Sequence, residues 1–250
     1  MKKLFTIILL SFIVSYASAQ KIYNTSSGEV IFGFSDANYN TPTGGDVLPN
    51  GNVPGSIKDA MRFTVWFHFG SYWHYDINNH IGFYTGITNR NIGFITKEAA
   101  SDGITAGTVK WKRRAYSIGI PLALKIGNLE NGLYIFGGAQ YEMLYHYKEK
   151  EFLPTGKRKY TEWFSERLNM WMPSVFAGVS FPHGFSIKVT YNLNNMMNED
   201  YTYSMTDGTT IKPYKYLDSK LLYISVFQMI RWESITYKQV DKKSKKIALL

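Results

Sequence analysis

Eight stretches of alternating apolar and polar residues are separated by gaps that run long, short, long, short. This ordering limits the fold more than any other feature of the chain. The stretches cover 29–37, 61–73, 80–96, 109–126, 133–147, 171–181, 185–197 and 217–232, and the gaps hold 23, 6, 12, 6, 23, 3 and 19 residues. Residues two apart share one face of a strand, so each stretch reads as a strand with an apolar and a polar face. A closed barrel in an outer membrane has tight turns at its periplasmic end and longer loops outside. A soluble sandwich has no reason to sort its loops by length onto alternate ends. The expected fold is therefore all-β: an eight-stranded antiparallel up-and-down transmembrane β-barrel with long outer loops and short periplasmic turns.

The faces are read strand by strand. In the second stretch Phe63, Val65, Phe67 and Phe69 lie opposite Arg62, Thr64, Trp66 and His68. The fourth sets Tyr116, Ile118, Ile120, Leu122, Leu124 and Ile126 against Ala115, Ser117, Gly119, Ala123 and Lys125. The fifth sets Leu133, Ile135, Ala139, Tyr141, Met143 and Tyr145 against Gln140, Glu142 and His146. The seventh alternates Phe185, Ile187, Val189, Tyr191 and Leu193 with Ser186, Lys188, Thr190, Asn192 and Asn194. Alternation alone does not say which face points outward. Loop asymmetry and an aromatic content of 16%, with 19 Tyr, favour an apolar face on lipid, because Tyr and Trp suit the membrane–water interface. Pro121 cannot donate a ladder hydrogen bond, and a closed barrel has no edge, so a bulge is expected there.

The ends carry further signals. Lys2 and Lys3, the apolar run Leu4 to Val14 and the small-residue site Ala17-Ser18-Ala19 predict a signal peptide over 1–19, with Gln20 starting the mature protein. The apolar run is too short for a spanning helix. No cysteine is present, which argues against a lipid anchor and leaves stability to the fold itself. The barrel is expected over 20–232, followed by a basic periplasmic tail over 233–250. Removing Lys2 and Lys3 takes the formal charge from +9 to +7, and Lys238, Lys242, Lys243, Lys245 and Lys246 against Asp241 supply +4 of it. The Lys242–Lys246 run suits anionic peptidoglycan, a periplasmic partner or plain solvation. Basic residues placed in loops and tail of an exported chain do not point to nucleic acid.

Two segments carry a resemblance. Tyr116-Ser-Ile-Gly-Ile-Pro-Leu-Ala-Leu-Lys125 resembles a mid-barrel strand of the small outer-membrane β-barrel proteins of the OmpX/OmpA and PorT-like kind. Gly184-Phe-Ser-Ile-Lys-Val-Thr-Tyr-Asn-Leu193 resembles their penultimate strand. The resemblance implies the fold, an outer-membrane location, outer-membrane lipid as surroundings and the barrel-insertion machinery as a partner. It also implies tolerance of proline at this place. The chain departs from the pattern where the last aromatic of the final strand, Trp232, is followed by 18 residues. Either the insertion signal is internal, or Ile235, Tyr237 and Val240 belong to the last strand.

Candidate sites follow from topology. With lipid outside, the polar face forms a lumen network of Arg62, His68, Arg90, Lys125, Glu142, His146, Lys188 and Arg231, with His80 nearby. Charges there must pair, so Glu142 is expected to bridge Arg62, Lys125 or Lys188. Eight strands leave no aqueous channel, which makes the network a plug. Lys110, Lys112 and Arg114 share the parity of Tyr116 and should face outward just above the aromatic belt, where they suit lipopolysaccharide phosphates. The third outer loop, 148–170, brings Lys157, Arg158 and Lys159 beside Trp163 and Phe164, a composition that suits a protein partner or a glycan. The first outer loop, 38–60, is rich in Gly, Pro and Asn and reads as mobile.

No catalytic, metal or cofactor motif appears among these residues. Glu142 and His146 lie about 13 Å apart along a strand, too far for acid–base partners. The expected role is a non-enzymatic envelope structural or partner-binding protein acting through its outer loops, with no cofactor and no metal. One alternative is a lipid-modifying acylase or deacylase with a Ser–His pair opening to lipid. Another is a soluble exported lipocalin-like barrel with an apolar ligand inside.

Overall fold

The computed structural model describes residues 21–42, 48, 57–101, 105, 107–204, 208 and 210–232. The eight principal strands are β1 (Lys21–Ser35), β2 (Phe69–Asp76), β3 (Ile81–Ala99), β4 (Thr108–Asn128), β5 (Leu133–Leu153), β6 (Trp171–Ser180), β7 (Phe185–Asn192) and β8 (Leu221–Arg231). Each pairs antiparallel with its sequence neighbour. The ring is completed by β8 against β1, from Thr25 opposite Arg231 to Ser35 opposite Leu221. The signal peptide and the 233–250 tail, including Ile235, Tyr237 and Val240, lie outside the described residues.

One end carries only tight connections, at 77–80, 129–132 and 181–184. Side chains fix the first two: Asn78 Oδ1 accepts the backbone N–H of His80 and Ile81, both at 2.8 Å, and Asn128 Oδ1 accepts that of Asn131 at 3.1 Å. These are Asx turns. The other end carries the long connections. There β3, β4 and β5 run on past the ring, and a further strand, Gly156–Trp163, folds back on the top of β5 from Leu153 to His146.

The ring is apolar outside. Ile118, Ile120, Leu122, Leu124 and Ile126 of β4 are 42–62% exposed, and Ile135, Val175, Ile187, Val189 and Ile224 continue the band on other strands. On β4 that band spans nine residues, the length of a membrane-crossing strand. A belt of this size left in water would be an aggregation surface. Aromatic rings flank it, with Trp66, Phe67, Tyr141, Trp163 and Trp171 on the long-loop side and Phe181, Phe185 and Trp232 at the tight-turn end.

Inside, the lumen is filled in layers. Near the tight turns, Tyr72, Tyr84, Phe136, Phe176 and Phe227 pack as an aromatic cluster. Glycines make room in the lumen: a methyl on Gly178 would stand 2.5 Å from the Phe136 ring of this cluster, and one on Gly119 would stand 2.4 Å from the polar Gln140 Nε2. Above lies a charged layer, and above that a second apolar cluster in which Met196, Met197, Tyr214 and Leu217 of the last outer connection pack on Ile31, Ile92 and Leu144.

Three local expectations are corrected. The bulge lies not at Pro121 but between Tyr116 and Ser117, where Tyr145 of β5 is the extra residue. Pro121 stays in register opposite Gln140, and its carbonyl accepts Thr85 Oγ1 at 2.8 Å. The second stretch is not continuous: Arg62–Thr64 pairs with β1, and a turn at Trp66 and Phe67 precedes β2. Phe67 has φ 66°, and Trp66, expected inside, is 78% exposed. The segment 148–170 is not a loop, since most of it forms the β5 hairpin.

Candidate functional site

The lumen residues form three charge groups. Lys188 Nζ lies 3.1 Å from Glu29 Oε1, and Arg90 Nε lies 3.4 Å from Glu142 Oε1, all four side chains being at most 5% exposed. Glu142 also accepts Ser117 Oγ at 2.9 Å. Near the tight turns Lys125 bonds Asp76, with the Tyr23 hydroxyl and His74 Nδ1 each at 3.2 Å. Glu142 therefore takes Arg90, not Arg62, Lys125 or Lys188. Arg62 is instead held by Asn91, through its carbonyl at 2.9 Å and its Oδ1 at 2.6 Å. His68 is buried beside it, with Nδ1 accepting the Asn91 N–H at 3.2 Å.

Two carboxylates in this network escape a sequence reading. Glu29 opens the first stretch with the parity of Ile31, and Asp76 falls in what reads as the first short gap. Three basic positions leave the lumen. Arg231 is exposed at its mouth, with its guanidinium 3.7 Å from the Tyr23 ring centroid. His80 sits exposed in the 77–80 turn. His146 faces outward because the extra Tyr145 reverses the parity of β5. Its ring stacks on Trp163 at 4.2 Å and on Tyr116 at 5.6 Å.

Above that stack the outward face is a ladder of cations. Lys112 pairs opposite Lys150, and Lys150 opposite Lys159. Arg114 lies opposite Lys148, and Lys110 opposite Lys97, itself opposite Lys58. Like charges facing each other across strands are destabilising. Partial burial, then Arg62, Arg114 and Lys110, hold Lys112 below the usual lysine value, and partial burial, then Arg114 and Lys159, do the same at Lys150.

The expected group Lys157, Arg158, Lys159, Trp163 and Phe164 is divided between faces. Lys157 and Lys159 extend the outward ladder, whereas Arg158 turns inward to Glu151 and Ser101. Trp163 belongs to the aromatic belt, and Phe164 ends the hairpin with φ 49°.

The inward face of the same projecting strands lines an open cavity of 530 Å³. Its floor is an ion-paired set: Arg113 bonds Glu98 and lies 3.1 Å from Glu149 Oε2, while Glu151 accepts the backbone N–H and Oγ of Ser101, both at 2.7 Å. Its wall is tyrosine. Arg167 stacks between Tyr160 at 4.2 Å and Tyr201 at 5.2 Å, and donates to the Tyr214 hydroxyl at 3.2 Å. Burial and the Glu149 carboxylate push Tyr214 up to about 12. Among the described residues no group of three or more metal-ligating side chains occurs.

No protein-family model matches the chain, and no curated protein matches it. Among solved structures, the chain is similar to Ail, the attachment invasion locus protein of Yersinia pestis, in a complex with the heparin analogue sucrose octasulfate. That match has 12% identity and a TM-score of 0.31, covering 83% of this chain and 99% of Ail. A second Ail structure matches at 13% identity and a TM-score of 0.30, with the same coverage.

Proposed function

We propose that this protein is a non-enzymatic outer-membrane barrel that binds partners at its outer end. The observation that carries the reading is the pairing of an apolar, aromatic-flanked exterior with a packed, charge-layered lumen. Such a wall is stable only in lipid, and such a lumen offers no path for solute. The reading includes export by residues 1–19, insertion by the barrel-insertion machinery and kinship with OmpX/OmpA and PorT-like barrels. The strand positions of Tyr116–Lys125 within β4 and of Phe185–Asn192, the body of the Gly184–Leu193 segment, as β7 support it.

Elaboration is confined to the long-loop end, where binding is expected. Lys110, Lys112 and Arg114, joined by Lys148, Lys150 and Lys159, are the candidate contacts for lipopolysaccharide phosphates. They stand immediately above Tyr116, at headgroup height, and a bound phosphate relieves their mutual repulsion. A lipid-modifying enzyme needs a hydroxyl–imidazole pair open to lipid. The pairs among the described residues, Thr25 with His74 at 2.9 Å and Thr64 with His68 at 3.1 Å, face the lumen instead. A lipocalin-like reading needs a solvated outer face, and it meets exposed Ile, Leu and Trp.

Charge reversal at Lys110, Lys112 and Arg114 tests the phosphate contacts. Less lipopolysaccharide should co-purify with the triple variant than with the wild type. Equal retention would overturn this part of the reading.

A further inference from the structure

We infer that the cavity on the inward face of the projecting strands is a saccharide-binding site for a short, uncharged oligosaccharide. The inference rests on the proposed orientation, which turns this cavity to the cell exterior. The cavity lies between the tops of β3, β4 and β5, the hairpin strand and the last outer connection, whose short pair Tyr203–Ser204 and Thr210–Ile211 forms its rim. At 530 Å³ it falls within the ~300–1,000 Å³ of small-molecule sites.

Three features choose the ligand class. First, the lining sets three carboxylate side chains (Glu98, Glu149, Glu151) among four basic ones (Arg113, Arg158, Lys159, Arg167), so acceptors and donors alternate around the cavity. A polyanion would meet three carboxylates on the floor, and a cation would meet carboxylates already bonded to Arg113 and Arg158. A hydroxyl both donates and accepts, so an uncharged polyol fits the mixed lining. Second, the walls are aromatic. Tyr supplies rigid, amphipathic contact area at low entropic cost, and its ring face suits the C–H face of a pyranose. Tyr203 at the rim is 48% exposed. Third, Arg167 is fixed by two ring faces and one hydroxyl, yet its buried Nε has no hydrogen-bond partner. A donor left in this state is costly, and a ligand hydroxyl would satisfy it.

This site is distinct from the outward ladder. Lys159 borders both, but Lys110, Lys112 and Arg114 of the ladder do not line the cavity, so variants there separate the two. The test uses the full chain in nanodiscs, with saturation-transfer NMR against maltotriose, cellotriose and chitotriose in turn. At least one trisaccharide should receive saturation. Arg167→Ala and the rim variant Tyr203→Ala should each weaken it about tenfold, the ratio that ~1.4 kcal/mol produces, while reversal of Lys110, Lys112 and Arg114 leaves it unchanged. Tyr203 makes no core contact, so its variant folds even if the Arg167 variant does not. A heat-modifiable barrel to which none of the three sugars binds would overturn the assignment. So would wild-type affinity in Tyr203→Ala and in a folded Arg167→Ala. A preparation with no heat-modifiable form would show that the membrane reading had failed, and the assignment would fall with it.

Discussion

Single side chains decide whether the lumen holds. Lys188 and Glu29 are both buried on the polar face, and each neutralises the other at 3.1 Å. Removing one partner leaves an uncompensated charge, which costs ~3–5 kcal/mol, whereas replacing a buried pair by apolar groups is often neutral. Glu29→Ala should therefore lower the urea midpoint of the barrel in bilayers sharply, and the double variant Glu29→Leu/Lys188→Met should recover most of the loss. Equal destabilisation in both would mean that the pair contributes through its packing. On the outer face, Lys112 and Lys150 titrate below the ordinary lysine value of 10.5. A cation with a depressed pKa loses its proton earlier as pH rises, so phosphate retention should start to fall below 10.5. Titration of inorganic phosphate binding against pH checks this. A fall only above that value would place the lysines apart from one another.

At the scale of elements, the β5 hairpin turns a barrel wall into a binding surface, and one residue makes the change. Were Tyr145 held in regular register and not bulged, the cations Lys148 and Lys150 would point into the cavity and Glu149 and Glu151 out toward the ladder, since a one-residue slip exchanges faces. Deleting Tyr145 removes the bulge and places His146 directly after inward Leu144, which keeps every face of the hairpin, so 146–163 should stay protected from protease and the barrel heat-modifiable. New protease sensitivity over 146–163 would show that the parity of the hairpin is set elsewhere. This hairpin is also where sequence reading fails. Over Lys148-Glu149-Lys150-Glu151 both faces are polar, so the period-2 signal survives only as alternating charge sign. Hydrophobic alternation is blind to that. The same blindness hides the start of β1, where Tyr23, Thr25 and Ser27 point in and Asn24, Ser26 and Gly28 point out. There Trp232 covers the outward polar row, its Nε1 donating to Ser26 Oγ at 2.7 Å. By contrast β4 and β7 read directly, because lipid demands an unbroken apolar row.

For the whole molecule, loop lengths and apolar rows sufficed to give eight strands, their order and the end that carries the long connections. Pairing inside the lumen depends on which strands sit opposite across the barrel, and no local pattern encodes that, so Glu29 and Asp76 went unassigned. The cavity is hidden for the same reason: Arg113, Tyr160, Arg167 and Tyr214 come from four separate segments. Whether the apolar face meets lipid decides the orientation of every site on the barrel. Membrane fractionation of the expressed protein, followed by gel electrophoresis with and without boiling, tests it most directly. A lipid-facing barrel should fractionate with the outer membrane and run faster when unboiled. A soluble periplasmic protein whose mobility is unchanged by boiling would contradict it.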